Sequence, residues 1–340
     1  MKKLSLLALL LVSAACSALP PILIDTDMAS DDWSAILYLL NRRDVKVVAI
    51  TVPGTGEAHC DWKGGHPVAA VNALGLIQLA GRSKDGIPVA CGPTVPMRGN
   101  HVFPDEWRTE SDAVFGLKLP SSSQSPQKVD AVDLIVSTLE ASPKKVRILA
   151  LGPLTDLGLA LMRQPSLASH IDSIVIMGGA VKVPGNLDDP GSTIKNNRFA
   201  EWNIYIDPHS AQLVFQSGVP IELVSLDGTN QVPLTSTFLS RLQRTAKTPS
   251  AKFVYDSLSK EKPLITSGKY FFWDSLAAAV AVSPEICQSK SYQLSVVETE
   301  GPDSGRTSID PKGHPVSVCE KSNGPKFREL FLKGINGRLP

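Results

Sequence analysis

The stretch Ile22–Leu40 places a short apolar run, a knot of carboxylates and an amphipathic helix in immediate succession, and few folds accommodate that order. Ile22-Leu23-Ile24, set off by Pro20-Pro21, reads as a buried strand, with a helix the alternative for so short a run. Asp25, Asp27, Asp31 and Asp32 follow. Trp33, Ile36, Leu37 and Leu40 then recur at the spacing of one helix face. Ser30 reads as the N-cap, with Asp31 and Asp32 in the first turn, where the helix dipole favours anions. First-turn acids alone would need no further explanation. Asp25 and Asp27 lie on the strand side, however, and crowded carboxylates repel unless a cation neutralises them. Hard oxygen ligands suit Ca²⁺ or Mg²⁺, so a metal site is expected here.

The order strand, helix, strand continues. Val45–Val52 and Ile87–Cys91 read as strands flanking a helix from about Pro67 to Ala80. Val146–Leu151, Ile171–Met177 and Val219–Leu226 are further strands, with helices at Val129–Glu140, Leu154–Met162 and Asp207–Gln216. Such alternation implies an α/β fold: a mainly parallel, Rossmann-like central sheet with helices on both faces. Ligands of such sheets bind beyond the carboxyl ends of the strands, where Asp27 and Thr55 would lie. Gly92–Gln127 lacks periodicity and is expected to be irregular, with Ser121–Ser125 linker-like. Helices are expected at Ser236–Lys247, Ser250–Lys260 and Phe271–Val282. Tyr292–Val318 reads as short antiparallel strands, a small C-terminal extension, and Pro325–Ile335 as a closing helix. One domain, residues 20–340, is expected after a leader over residues 1–19.

That leader has Met1-Lys2-Lys3 before the apolar Leu4–Val12, a secretory pattern. Ser13-Ala14-Ala15-Cys16 resembles a bacterial lipoprotein box with Cys16 lipidated; the alternative is a plain signal peptide cut near Ala15 or Ala18. Either way the protein is expected to be exported, periplasmic or membrane-anchored. The only membrane attachment expected is a lipid on Cys16. A formal net charge of +1 gives no support for nucleic-acid binding. An exported chain permits disulfides, and Cys60, Cys91, Cys287 and Cys319 allow three pairings. Cys287–Cys319 is the expected pair. No zinc-type Cys/His spacing occurs.

Asp25-Thr26-Asp27-Met28-Ala29-Ser30-Asp31-Asp32 resembles the DTDxGxDD signature of the calcium-dependent, inosine-uridine-preferring nucleoside hydrolases. Leu151–Thr155, Met177-Gly178-Gly179, Gly185-Asn186, Ala200–Asn203, Asp207-Pro208 and Trp273-Asp274 resemble that family's other motifs, in family order over nearly the whole mature chain. The resemblance implies Ca²⁺ held by Asp27, Asp32, Asp274 and a backbone carbonyl of Leu151, with Asp27 also the general base for a water attacking C1′. It implies ribose contacts from Asp31, Asn186, Glu201 and Asn203, a small-molecule ribonucleoside as the partner, and a homodimer or homotetramer. On the residues alone, Asp25 reads as a supporting carboxylate accepting backbone N–H bonds. Glu201 and Asn203 read as one face of an extended segment, and Asp274 as a helix cap.

Three departures from the family pattern bear on the chemistry. Trp273 stands where non-specific and pyrimidine-preferring members carry a histidine acid. The purine-specific branch stacks the base on tryptophan there, which implies a purine substrate. Trp107 is a candidate for the second side of an aromatic sandwich; a core aromatic is the plainer reading of Trp273. Thr55 replaces an asparagine that touches ribose, and His59 is a possible leaving-group acid or simply a surface histidine. Met28-Ala29 replaces Pro-Gly, so the loop after Asp27 is expected to be held differently. Two other readings compete: a non-hydrolytic nucleoside-binding lipoprotein on the same scaffold, and a haloacid dehalogenase-like phosphatase suggested by Asp25-x-Asp27.

Overall fold

The computed structural model describes residues 19–188 and 191–339, so the leader and Cys16 lie outside the described residues. One nine-stranded sheet carries the chain, in the order β3-β2-β1-β4-β5-β6-β9-β7-β8. Its strands are β1 (Ile22–Asp25), β2 (Val47–Val52), β3 (Val89–Cys91), β4 (Val146–Ala150), β5 (Ile171–Met177), β6 (Ile221–Val224), β7 (Cys287–Val296), β8 (Thr307–Ile309) and β9 (His314–Ser322). The first six are parallel, and β9 continues the parallel run beside β6. Only β7 runs against this direction, antiparallel to β9 on one side and to β8 on the other. The C-terminal strands therefore extend the main sheet itself, and β7 and β9, though not β8, are longer than the short strands expected over Tyr292–Val318.

Strand β1 shows why the sheet is covered on both sides. Ile22 and Ile24 enter one core cluster while Leu23 enters the other, as the two-residue period of a strand requires. The first cluster is shared with the helices Ser30–Leu40, Val68–Leu79, Trp273–Val282 and Gly324–Ile335; the second with Ala131–Ala141, Thr155–Arg163 and Pro208–Phe215. The helix Ser30–Leu40 is buried all round save Asp31, because four helices pack against it, and so is more than amphipathic. A third, smaller cluster of Phe103, Leu187, Ala200, Trp202 and Ile206 joins the two long connections above the sheet.

Chain order reverses between β1 and β4: β2 and β3 lie to one side of β1, β4 to β6 to the other. This is the topological switch point at which open α/β sheets form a crevice at strand carboxyl ends. Asp25–Ala29 leaves β1 there and Leu151 leaves β4 there. The segment expected to be irregular contains a helix, Asp105–Asp112, that packs over this crevice. It is short and polar with a single tryptophan, so it left no periodic signal.

Disulfides join Cys60 to Cys91 and Cys287 to Cys319, with Cα atoms 5.2 and 5.4 Å apart. The first ties the connection after β2 to the end of β3; the second ties β7 to β9. No described helix is long and apolar enough to cross a membrane.

Candidate active site

Strand β1 ends on Asp25, whose Oδ1 accepts from Thr51 Oγ1 at 2.7 Å rather than from the backbone N–H groups expected. Asp25 lies below the cavity against the equally buried Asp156, and burial raises its pKa to about 7. Burial, and then the Asp25 charge, push Asp156 well above its usual value too. Beyond Asp25 the chain turns sharply. Met28 adopts φ 60°, a value no proline ring permits, so this loop is indeed held differently from a Pro-Gly turn. Its carbonyl accepts from Trp33 Nε1 at 2.9 Å, and its N–H donates to Thr26 Oγ1 at 3.2 Å. The helix cap falls on Ala29 rather than Ser30, whose hydroxyl instead donates to Glu261 Oε1 at 3.3 Å.

Asp27 is held by close packing. Its Oδ1 accepts from Ala29 N and its Oδ2 from Glu57 N, both at 3.3 Å. A Cβ at Gly56 would lie 2.3 Å from the Asp27 Cβ, and one at Gly152 would lie 2.6 Å from it. Both neighbouring loops can therefore close on Asp27 only because they carry glycine there. Asp27 and Asp274 are both close enough to Asp32 for their charges to disfavour its ionisation. One carboxylate oxygen each from Asp31, Asp32 and Asp274 lies within 4.8 Å of the others.

Asp27, Asp32 and Asp274 are 2%, 1% and 1% exposed. Burial raises the pKa of Asp27, and it raises Asp32 well above the carboxylate range with the charges of Asp274 and Asp27 adding to it. Asp274 is pushed up likewise, by burial and then by Asp31. Asp32 Oδ2 and both Asp274 carboxylate oxygens are buried without a hydrogen-bond partner. Orphaned carboxylate oxygens at this density cost several kcal/mol each unless something cationic meets them. An all-oxygen donor set of this kind fits a hard divalent cation.

These residues form the floor of a cavity of about 430 Å³. Of the residues singled out from sequence, Asp27, Asp31, Asp32, Leu151, Asn186, Glu201, Asn203, Trp107, Trp273 and Asp274 all line it. Glu201 and Asn203 arrive by a different route from the extended segment expected. Glu201 caps the helix Trp202–Ile206, accepting from the N–H groups of Asn203, Ile204 and Gly179, and burial still lifts it to about 7. Asn203 Nδ2 donates to the Leu151 carbonyl at 3.0 Å, fixing the end of β4. Asn186 Oδ1 accepts from Trp202 N at 3.2 Å.

His59 does not belong to this group. It faces a separate hollow, its Nδ1 2.8 Å from Asp112 Oδ2, because the N–H of His59 is bonded to the same carboxylate. Thr55 is also turned away, against Thr155 Oγ1 at 3.0 Å. The loop contributes Glu57 to the cavity instead; its carboxyl accepts from Ser111 Oγ at 2.5 Å. Trp273 packs on Tyr270, ring centroids 5.0 Å apart, and Trp107 meets Trp202 edge-on at 5.1 Å. Glu57, Phe115, Trp202, Tyr270 and Glu261 were missed as cavity residues. Of these only Trp202 sat inside a quoted motif. Phe115 is presented by a left-handed turn, φ 51° at both Val114 and Phe115, that no pattern in the sequence announces.

Comparison with known proteins agrees with this geometry. Residues 22–329 match the family model "Inosine-uridine preferring nucleoside hydrolase". A probable uridine nucleosidase 1 of Oryza sativa subsp. japonica is 32% identical over 85% of this chain and 84% of its own. A pyrimidine-specific ribonucleoside hydrolase RihA of Citrobacter koseri is 35% identical over 66% of each chain. Among solved structures, the plant nucleoside hydrolase PpNRh1 superposes with a TM-score of 0.78 at 26% identity, covering 93% of this chain and 99% of that one. A purine-preferring ribonucleoside hydrolase from Gardnerella vaginalis gives 0.76 at 25% identity, covering 94% and 98%. The chain thus belongs to the inosine-uridine-preferring nucleoside hydrolase family, enzymes that hydrolyse N-glycosyl bonds of ribonucleosides. Family membership sets the phosphatase reading aside.

Proposed function

We propose that this protein is a Ca²⁺-dependent hydrolase of purine ribonucleosides, releasing ribose and free base. The observation that carries the proposal is the convergence of Asp27, Asp32 and Asp274 with the Leu151 carbonyl at one cavity floor, three of the carboxylate oxygens unpartnered. Those four groups would hold the ion. An ion bound there would supply Lewis acidity toward a water and the ribose hydroxyls. Asp27 takes the proton of the attacking water, held for that task between Gly56 and Gly152. Asp31, Asn186, Glu201 and Asn203 surround the sugar, and their oxygens stabilise positive charge developing at C1′. Trp273, packed on Tyr270, would stack on the base, and Trp107 lines the same cavity.

The test is ribose release from inosine, adenosine, guanosine, cytidine and uridine, with calcium and after chelation. Release from purines above pyrimidines, lost on chelation and restored by Ca²⁺, is the expected result. No release from any nucleoside with calcium present refutes the hydrolase; a pyrimidine preference refutes the base assignment. We also propose export, with Cys16 as lipid attachment site, a reading supported by the basic-apolar leader and by two disulfides. Incorporation of labelled palmitate, lost in Cys16→Ala, tests it. Assembly as a homodimer or homotetramer is tested by light scattering of the purified chain.

A further inference from the structure

The two disulfides are fastened to different parts of the molecule. Cys287–Cys319 joins β7 to β9, strands that already pair along their length and contribute no residue to the cavity lining. Cys60–Cys91 instead closes a loop. The chain leaves β2 at Val52, which pairs with Cys91 in the sheet and whose carbonyl accepts from Gly92 N at 2.8 Å. It comes back at Cys60, which is bonded to that same Cys91. Both ends of the segment Pro53–His59 therefore meet at the last residue of β3. Cys60 and Cys91 are 1% and 0% exposed, so this joint belongs to the core.

The middle of the segment presses on Asp27. Ala58 N donates to the Asp27 carbonyl at 3.0 Å and Glu57 N to its Oδ2 at 3.3 Å. Gly56 comes so close that no side chain fits between it and the Asp27 Cβ. Three consecutive residues thus set where Asp27 points, and they can hold it only as firmly as their own backbone is held. A segment released at one end samples many arrangements, which a covalent cross-link removes. Gly54, Glu57 and His59 are also bonded to Arg108, Ser111 and Asp112, but those lie on the polar helix Asp105–Asp112 at the mouth. The disulfide ties the segment to the sheet.

We propose that Cys60 and Cys91 are positioning residues for the reaction: their disulfide fixes the segment Pro53–His59 so that Gly56, Glu57 and Ala58 keep Asp27 aimed. This deepens the hydrolase reading above and rests on it. Neither sulfur touches substrate, since neither cysteine lines the cavity. The groups that surround sugar and base, among them Asn186, Asn203 and Trp273, stand on other connections. The cross-link therefore acts on turnover, through Asp27, and leaves nucleoside binding nearly untouched.

The experiment compares Cys60→Ala/Cys91→Ala with Cys287→Ala/Cys319→Ala and the wild type, in saturating calcium and below every melting temperature. The nucleoside is whichever one the wild type cleaves fastest. The two disulfides span sequence separations of 31 and 32, so losing either one should lower the melting temperature similarly. Turnover should separate them. In Cys60→Ala/Cys91→Ala kcat should fall about ten-fold or more with KM within about three-fold of wild type, while Cys287→Ala/Cys319→Ala keeps both. Calorimetric titration with Ca²⁺ gives a readout apart from activity: affinity should weaken about five-fold or more in the first double variant only, because Asp27 is a proposed ligand. Gly54→Ala keeps both disulfides but drives a methyl to 2.8 Å from the Cys60 carbonyl oxygen, at the base of the loop. It should show the same split between kcat and KM, and it carries the test if the first double variant does not fold. A wild-type kcat in Cys60→Ala/Cys91→Ala, or in Gly54→Ala where that variant is unfolded, would overturn the proposal. So would equal falls of kcat in the two double variants, a rise in KM alone, or an unchanged calcium affinity. No ribose from the wild type would instead refute the hydrolase reading itself.

Discussion

Floor and mouth of the cavity differ in what holds them. The floor is made of strand ends and the first turn of a fully buried helix, and its key carboxylate is gripped between Gly56 and Gly152. The mouth is made of two short helices and long connections, and its side chains, the buried Tyr270 apart, are half-buried or exposed. At the floor, one displaced atom disturbs every group around Asp27. At the mouth, a side chain can be exchanged with little disturbance to its neighbours. The division suits an enzyme that must keep its chemistry fixed while its choice of base varies, as loops on a rigid scaffold allow. Substitutions at the two ends should therefore differ in kind.

The sharpest way to break the comparison is Asp27→Asn. The variant should lose about 10³-fold in kcat, within the range for removing a general base. Its thermal stability in chelator should be no lower than that of the wild type, because a buried carboxylate whose pKa burial raises is replaced by a neutral group. Unimpaired ribose release would remove Asp27 from the chemistry. Gly152→Ala should follow, with kcat down about 10²-fold from sub-ångström misplacement of Asp27 and stability reduced by about 1–3 kcal/mol from overpacking. A wild-type kcat in that variant would show that the floor is softer than its packing implies.

Acidity provides a further contrast. In chelator, the floor carboxyls are held above their unfolded values, Asp31 and Glu201 each at about 7. For acids raised on folding, the folded state binds more protons than the unfolded one. Their contribution is then complete below about pH 4 and is lost as pH rises towards 7. The melting temperature of the chelated protein should fall over that interval, and added Ca²⁺ should restore it most at the upper end. A calcium effect equal at pH 5 and pH 8 would contradict this account.

The same division governs how much could be read from sequence. The floor was legible because the carboxylates that matter most, Asp27, Asp31 and Asp32, fall within six residues and sit between a strand and a helix of clear pattern. The parallel sheet was legible for the same reason: each apolar run belongs to one strand. The mouth was not. Glu57, Phe115, Tyr270 and Glu261 come from four separate connections, and the helix Asp105–Asp112 that roofs the site carries too little apolar periodicity to be noticed. His59 misled because closeness to the floor in sequence does not fix direction. Its N–H and ring are both claimed by Asp112, so it faces out. Glu201 was placed in the site for an incorrect geometric reason, an extended segment, when a helix N-terminus delivers it.

Trp273→Leu probes the mouth with the smallest expected effect. The substitution keeps an apolar side chain over Tyr270 but removes the large face, so it takes away stacking rather than burial. Stacking of a base on an aromatic side chain is worth about 1–3 kcal/mol, which corresponds to roughly 5- to 150-fold in kcat/KM. A purine offers more overlap than a pyrimidine, so the drop should be greater for guanosine than for uridine. Stability should change little, because Trp273 is half-buried and its neighbours Phe272 and Leu276 keep their packing in the core. An equal drop for both nucleosides would mean that Trp273 merely fills the wall. A large fall in stability would be more telling still, since it would place Trp273 with the floor and erase the boundary between the two ends.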